Sequence, residues 1–370
     1  MDGTQQYIER YSRQISLSEI GISGQQKLKK AKVLVIGAGG LGCPVLQYLA
    51  VAGIGTLGIA DFDKVDLSNL QRQILYTTDD IGLPKTQCAK KRLLQLNPDI
   101  LIHTYAFQLD NSNIWDIIHD YEIIIDGTDN FPSRYLINDA CVLLKRVLIY
   151  GSISRFEGQV AVFNVTDSHG AVTANYRDLY PEPPAMNEVP SCKQAGVLGV
   201  LPGMIGVMMA NECIKYITGT GTLLNNKLLV VDLLHNRFLE TNIKPREDTK
   251  QLIPANRAVF EQKNYGGICM EQIEYKNINA YEFNQLMKQS DTIVIDVREP
   301  GEQPNVTEFD CINIPIGSFK EAIPYIKENT ILLFCHSGIR SLIAAELLTG
   351  SHKKIYNLKG GIIRWKPSHK

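Results

Sequence analysis

Short aliphatic and β-branched runs punctuate the first half of the chain: Val33-Leu34-Val35-Ile36, Leu57-Gly58-Ile59-Ala60 and Ile123-Ile124-Ile125. Each stops at once on Gly or Asp. Apolar runs this short with no polar alternation predict strands buried on both faces of a parallel sheet. Helical patterns fall between them. Cys43 to Ala52 carries Pro44 in its first turn and closes at Gly53, and Pro84 to Leu96 stops at Asn97-Pro98. This βαβ alternation predicts a doubly wound α/β sheet. Further strands are predicted at Val160 to Phe163 and Leu228 to Val231, with a helix from Met204 to Thr218 closed by Gly219. The periodicity then gives way to a polar, charged stretch, and the strand pattern resumes at Thr292-Ile293-Val294-Ile295 before Asp296. Ile331-Leu332-Leu333-Phe334 runs directly into Cys335 and a helix from about Arg340 to Leu348. Three segments are therefore expected: an α/β domain over 1–243, a linker or covering segment over 244–272, and a small α/β domain over 273–370.

Composition narrows the class. The 370 residues hold 44% hydrophobic and 21% charged side chains, which excludes a disordered or low-complexity chain. Lys plus Arg (38) balances Asp plus Glu (39), so no bulk basic field points to nucleic acid or to an anionic membrane. The longest apolar run, Val197 to Ala210, is interrupted by Gly199, Pro202, Gly203 and Gly206 and does not suit a bilayer span. The N-terminus has neither the cationic nor the apolar part of a signal peptide, so a cytoplasmic location is expected. Eight cysteines without a C-x-x-C pair read as thiols, and the seven histidines form no zinc pattern.

Gly37-Ala38-Gly39-Gly40-Leu41-Gly42 lies between a predicted strand and a predicted helix, where backbone N–H groups and a helix N-terminus hold phosphate oxygens. With Asp61 at the end of the next strand, the turn taken alone suits NAD or another nucleotide. The following stretch adds Asp63, Asp66, Ser68, Asn69, Leu70, Gln71, Arg72 and Gln73, then Lys85. Hydride transfer has no use for this density of charge, whereas cations at the carboxyl edge of a sheet suit a polyphosphate whose leaving group gains negative charge. Asp126, Asp129 and Asn130 follow another strand at the same edge, and a hard oxygen ligand there is what magnesium on ATP requires.

From Tyr7 to about Glu240 the chain resembles the MoeB/ThiF adenylyltransferases, relatives of the ubiquitin-activating enzymes. The likeness rests on the glycine turn, Arg10-Tyr11-Ser12-Arg13-Gln14, Asp61-Phe62-Asp63, Ser68 to Gln73, Gly82-Leu83-Pro84-Lys85, Thr128-Asp129-Asn130 and Phe156-Glu157-Gly158-Gln159. It implies a Rossmann-like domain binding ATP through Gly37, Gly39, Gly40, Gly42, Asp61, Ser68 to Gln73, Lys85, Asp129 and Asn130, with magnesium on Asp129. It also implies a homodimer in which Arg13 reaches the partner's site. The implied substrate is a small β-grasp sulfur carrier protein, whose C-terminal Gly-Gly carboxylate attacks the α-phosphate and becomes an acyl-adenylate. Relatives commonly hold a structural zinc with two C-x-x-C pairs. Here the first place reads Asn175-Tyr176-Arg177-Asp178 and the second retains only Cys269, so no zinc is expected and hydrogen bonds must hold those loops.

Cys335-His336-Ser337-Gly338-Ile339-Arg340-Ser341 joins a predicted strand to a predicted helix, a setting that favours a thiolate. Four residues separate Cys335 from Arg340, one fewer than a tyrosine-phosphatase loop needs, and a tighter loop suits a terminal sulfur. Together with Asp296-Val297-Arg298-Glu299 and Leu358-Lys359-Gly360-Gly361-Ile362-Ile363-Arg364-Trp365, the loop resembles a rhodanese active site. The resemblance covers about Ile273 to Lys370 and implies a persulfide on Cys335 charged by a desulfurase persulfide or thiosulfate. His336 is a base or a solvated loop residue. Cys192, beside Lys193, matches the place of the family's acceptor cysteine and is otherwise an exposed thiol.

These resemblances imply an adenylyltransferase fused to a rhodanese domain, which makes a carrier thiocarboxylate for molybdopterin, thiamine or tRNA thiolation. Two other readings compete. An NAD-dependent oxidoreductase explains the glycine turn but neither Ser68 to Gln73 nor Cys335. A non-catalytic module docking a ubiquitin-like protein leaves Arg13, Arg72, Lys85 and Asp129 without a purpose.

Overall fold

A computed structural model describes residues 3–167, 169–183, 196–265, 275–348 and 353–365. The chain divides into two compact units, 1–269 and 270–370.

The first unit opens with helices α1 (Gly3–Ile15) and α2 (Gly21–Lys30), then enters β1 (Lys32–Ile36), α3 (Gly42–Ala52) and β2 (Thr56–Ala60). Next come α4 (Lys85–Leu96), β3 (Leu101–Tyr105), α5 (Ile114–His119), β4 (Ile123–Asp126), α6 (Phe131–Leu144) and β5 (Val147–Ser154). After β6 (Glu157–Phe163), α7 (Tyr176–Leu179) and α8 (Val200–Thr218), a hairpin of β7 (Lys227–Asp232) and β8 (Arg237–Asn242) completes one eight-stranded sheet. Its order is β3-β2-β1-β4-β5-β6-β7-β8.

The first five strands are parallel and the last three antiparallel. Runs without alternation occupy the centre, with Val33 opposite both Leu57 and Ile123 and all three buried. Both faces of these strands meet apolar layers. Leu46, Leu49, Ile205 and Met209 cover one, while Tyr135, Leu136 and Ile118 cover the other. Because β1 and β4 diverge toward opposite flanking helices, their carboxyl ends leave the crevice where α/β sheets bind ligands.

Where a polar linker or covering stretch is expected, described residues 244–265 cover the first unit. A short helix, α9 (Arg257–Gln262), buries Phe260 completely between the rings of Trp115 and Tyr265, with centroids at 5.9 and 5.5 Å. Below it the fully buried Asp139 carboxylate accepts two hydrogen bonds from Arg177, at 2.7 and 2.8 Å. It accepts two more from Lys263 at 3.1 Å and the Tyr265 hydroxyl at 2.7 Å. Burial pushes the Lys263 ammonium down and the Tyr265 hydroxyl up. Beside them Asn175 and Asp178 cap α7 reciprocally, and Asp178 also accepts from Thr249 and from the Arg246 N–H. Hydrogen bonds and charge therefore occupy the place of the first C-x-x-C pair; Cys269 lies outside the described residues. Asp139→Ala, which strands a buried guanidinium, is expected to cost about 3–5 kcal/mol. The denaturant midpoint of the first unit measures it, and an unmoved midpoint would show that the network adds no stability.

The second unit is a parallel five-stranded sheet in the order β11-β10-β12-β13-β9. Its strands are β9 (Tyr275–Ile278), β10 (Thr292–Asp296), β11 (Ile312–Asn313), β12 (Thr330–Phe334) and β13 (Lys354–Leu358). Helices α10 (Ala280–Leu286), α11 (Phe319–Ala322) and α12 (Ile339–Leu347) flank it. Central β12 is buried from Ile331 onward and delivers Cys335 to the carboxyl edge.

Two candidate active sites

In the first unit, the turn after β1 is possible because Gly37 takes φ +92°, and because a Cβ on Gly42 would fall 1.9 Å from the Gly37 carbonyl oxygen. Asp61, at the end of β2, grips this turn. Its carboxylate accepts from the Ala38 N–H and the Asp63 N–H, both at 2.8 Å. Burial pushes the Asp61 carboxyl up, opposed by the charge of Lys85 and by those two N–H groups. Lys85, buried at the start of α4, reaches Asp63 at 2.9 Å. The segment after Asp61 folds back over the glycines. A Cβ on Gly39 would stand 3.6 Å from Gln73 Nε2, and one on Gly40 would stand 3.5 Å from Arg72 Cδ.

Gln73 Oε1 is buried beside this turn with no hydrogen-bond partner among the described residues, an acceptor left for a ligand donor. The Gly127-Thr128 backbone lies against Gly37, so exposed Asp129 follows at the adjacent strand end. Buried Asp126 spends its carboxylate on the Thr128 N–H and hydroxyl, at 2.9 and 2.6 Å.

Other expected site residues have local roles in this fold. Ser68 and Asn69 form a single turn whose cap is Asp66, Leu70 packs on the core, and Gln71 lies against Gly199. Asn130 caps α6 by accepting from the Ser133 N–H at 3.0 Å. Arg13 is not brought to the glycine turn of its own chain. It is exposed in the last turn of α1, and neighbouring Gln14 donates to the Ala52 carbonyl at the far end of α3. Cys192 and Lys193 lie outside the described residues.

In the second unit the Cys335 thiol accepts from the Gly338 N–H at 3.1 Å and from the Ser341 hydroxyl at 3.3 Å. Burial opposes ionisation of this thiol. The Ser341 hydroxyl and the N–H groups of Ser341, Gly338 and Ser337 outweigh it and hold the pKa below the usual thiol value. Ser341, buried in the first turn of α12, is the site residue that the sequence does not single out; its place at the end of the Cys335 loop is the signal that points to it.

Arg340 turns instead to Glu302, forming a fork–fork pair at 2.5 and 2.7 Å. The guanidinium holds the Glu302 carboxyl down to about 2. The Asp296–Arg298 pair arranges that partner. Arg298 is buried, binds Asp296 through Nε and Nη2, and donates from Nη1 to the carbonyls of Glu302 and Pro304 at 3.3 and 3.0 Å. The same segment sets the Gln303 carbonyl 3.2 Å from Nδ1 of exposed His336, which makes no described contact with the sulfur.

Comparison with known proteins agrees with both units. The ThiF family model matches residues 11–252, and the rhodanese-like domain model matches residues 279–368. The chain belongs to the ThiF family and carries a C-terminal rhodanese-like domain; it is an enzyme, an adenylyltransferase joined to a sulfurtransferase. It is 39% identical to a probable adenylyltransferase/sulfurtransferase MoeZ of Mycobacterium tuberculosis, across 97% of this chain and 92% of that protein. It is 37% identical to the adenylyltransferase and sulfurtransferase MOCS3 of Drosophila virilis, across 97% and 83%. The sulfur carrier protein adenylyltransferase of Thermus thermophilus is 44% identical and matches 72% of this chain over its entire length. Among solved structures, PaaA superposes with a TM-score of 0.55 at 26% identity, covering 66% of this chain and 76% of that one. Among the described residues no helix is long and apolar enough to cross a membrane.

Proposed function

We propose that the chain uses ATP and magnesium to adenylate the C-terminal glycine of a small β-grasp sulfur carrier, then replaces the activated oxygen with sulfur from Cys335. The observation that carries this reading is one chain holding both halves of the chemistry: a glycine turn with Arg72 and Gln73 folded back against it and Lys85 close by on Asp63, and a thiol whose hydrogen-bond donors lower its pKa. The name of the Thermus relative supports the choice of substrate.

In the first half-reaction a carboxylate oxygen of the carrier attacks the α-phosphorus and pyrophosphate leaves. Arg72 and Lys85 offset the charge gathering on the departing phosphates. Magnesium supplies further charge neutralisation when bound, and Asp129 fits it. A single exposed carboxylate suits an ion that keeps several waters and shares ATP phosphate oxygens. The charged Asp63–Lys85 pair places a cation at this edge before ATP arrives.

In the second half-reaction the terminal sulfur of a Cys335 persulfide attacks the acyl carbonyl and AMP leaves, forming an acyl disulfide. A thiol reductant cleaves the sulfur–sulfur bond and releases the thiocarboxylate, with Cys192 as the candidate internal thiol. The buried Sγ of Cys335 does not itself have to meet the carrier, because a persulfide moves the reacting atom about 2 Å beyond it. The sulfur comes from a desulfurase persulfide or thiosulfate, the working form is a homodimer, and the setting is the cytoplasm.

Reconstitution with a Gly-Gly carrier, ATP, magnesium, thiosulfate and a thiol reductant tests the whole reading. Mass spectrometry should show one carrier oxygen replaced by sulfur. Asp129→Ala should lower magnesium-dependent ATP–pyrophosphate exchange by about a hundredfold or more while leaving the fold intact. Wild-type exchange in that variant would remove magnesium from Asp129, and a carrier left at its original mass by the wild-type chain would overturn the function.

A further inference from the structure

Asn357 lies on β13, well away in sequence from the sulfur loop, and is 2% exposed. Its Nδ2 donates to the Gly338 carbonyl at 3.3 Å and to Asn277 Oδ1 at 2.8 Å, across the β13–β9 register. A carbonyl only accepts, so this bond fixes which end of the amide faces the loop. Gly338 is the residue that most needs such support. It stands at φ +92°, and the peptides on its two sides do different work, one donating an N–H to Cys335 and the other accepting from Asn357.

The rest of the segment after β13 forms a floor under the same loop. The Ile362 N–H donates to the Cys335 carbonyl at 2.8 Å, and the Ile363 N–H donates to the His336 carbonyl at 3.3 Å. Gly361 approaches so closely that a Cβ there would fall 2.3 Å from the His336 carbonyl oxygen. These contacts hold the start of the loop, and Gly338 packs on the same segment, where a Cβ would stand 3.0 Å from Gly360 N; Asn357 adds the hydrogen bond to the Gly338 carbonyl at the turning point.

We infer that Asn357 is a positioning residue for sulfur transfer: its amide clamps the Gly338 carbonyl and thereby aims the Gly338 N–H at the Cys335 sulfur. The inference rests on the reading of Cys335 as the sulfur-bearing nucleophile. Without the clamp, Gly338 has the freedom to turn its N–H away, and the thiolate loses one of the donors that stabilise it. Asn357 touches no reacting atom, so its removal should change the ionisation of Cys335 rather than delete the reaction.

The full-length Asn357→Leu chain, and Asn357→Ala should leucine prevent folding, is labelled with iodoacetamide across pH. Modification of Cys335 is read by mass spectrometry of its peptide. Thiosulfate-to-cyanide transfer is followed over the same range. The labelling midpoint should move up by about one pH unit, with a loss of transfer below the midpoint that approaches about tenfold and recovers in alkali. An unmoved midpoint in a folded variant overturns the inference, whether the rate is normal or reduced equally at every pH. Cys335→Ala run beside it separates the two ideas. Transfer persisting there would sink the role of Cys335 itself, while the labelling midpoint would still report whether Asn357 orders the loop.

Discussion

Cys335→Ala should abolish sulfur transfer from thiosulfate to cyanide and formation of carrier thiocarboxylate, yet leave carrier-dependent ATP–pyrophosphate exchange near the wild-type rate. Losing a covalent nucleophile typically costs about ten-thousand-fold or more, because the intermediate that divides the reaction into two easier steps can no longer form. Among the described residues the other thiols offer no substitute. Burial pushes Cys43 up to about 12 and drives Cys141 and Cys213 well above the ordinary thiol value, and it raises Cys88 and Cys311 too. Only Cys335, with its ring of N–H and hydroxyl donors, shifts the other way among these.

The direction of that shift carries a pH signature. A thiol held below its ordinary value ionises at lower pH than a free thiol, so wild-type transfer should plateau at a lower pH than reaction with a free thiol. In the proposed mechanism adenylation draws on Arg72, Lys85 and Asp129, which lie in a unit with a different sheet, and pyrophosphate departs before sulfur is needed. Both rates falling together in a folded Cys335→Ala chain would break this separation. Thiocarboxylate still forming at the normal rate from a persulfide donor would show that the rhodanese-like unit is not the immediate sulfur source.

The parts of this fold legible in sequence are those whose environment is the same on every side. β1, β2 and β4 are central strands with apolar layers above and below, so their residues form unbroken aliphatic runs that end where the chain emerges at the ligand edge. Edge elements carry no such mark. β8 is exposed along its whole length and β3 only partly covered, and the hydrophobic pattern marks neither. α1 is polar, and its docking depends on tertiary bonds such as Asn97 Nδ2 to the Tyr11 hydroxyl at 2.8 Å.

The candidate sites divide in the same way. The glycine turn, Asp61 and the Cys335 loop are local motifs, written within a few consecutive residues. Arg340 was legible as a residue of the sulfur loop, but its partner Glu302 is 38 positions away and depends on Arg298 holding an intervening loop. Asn357 shows no chemistry in sequence at all, because its meaning comes from the register that sets β13 beside the loop. Composition leaves a linker and a covering segment undecided after 243 for a related reason: the burial of Phe260 and the bonds of Lys263 and Tyr265 to Asp139 are long-range facts in a stretch with little periodicity.

Arg13→Ala and Arg72→Ala should each lower pyrophosphate exchange by about 10²–10³-fold, the scale of removing one preorganised charge from a developing anion. They should nevertheless rescue one another in mixed dimers. Arg72 lies beside Gly40 at the start of α3, whereas Arg13 belongs to a helix anchored at the other end, where Gln14 bonds the Ala52 carbonyl and Asn97 bonds the Ala50 carbonyl. The eleven residues of α3 separate those ends by about 16 Å, farther than one arginine side chain spans. An exposed Arg13 in that position serves a nucleotide only if the nucleotide belongs to a second copy of the chain. In a dimer pairing one chain of each variant, one site then has its own Arg72 and its partner's Arg13, while the other has neither. Mixed dimers isolated with two different tags should therefore regain about half the wild-type rate, since symmetry gives each dimer two sites and only one is rebuilt. Arginine acting within its own chain leaves both sites of the same dimer defective, so confirmed mixed dimers with no recovery would place Arg13 outside the partner's site.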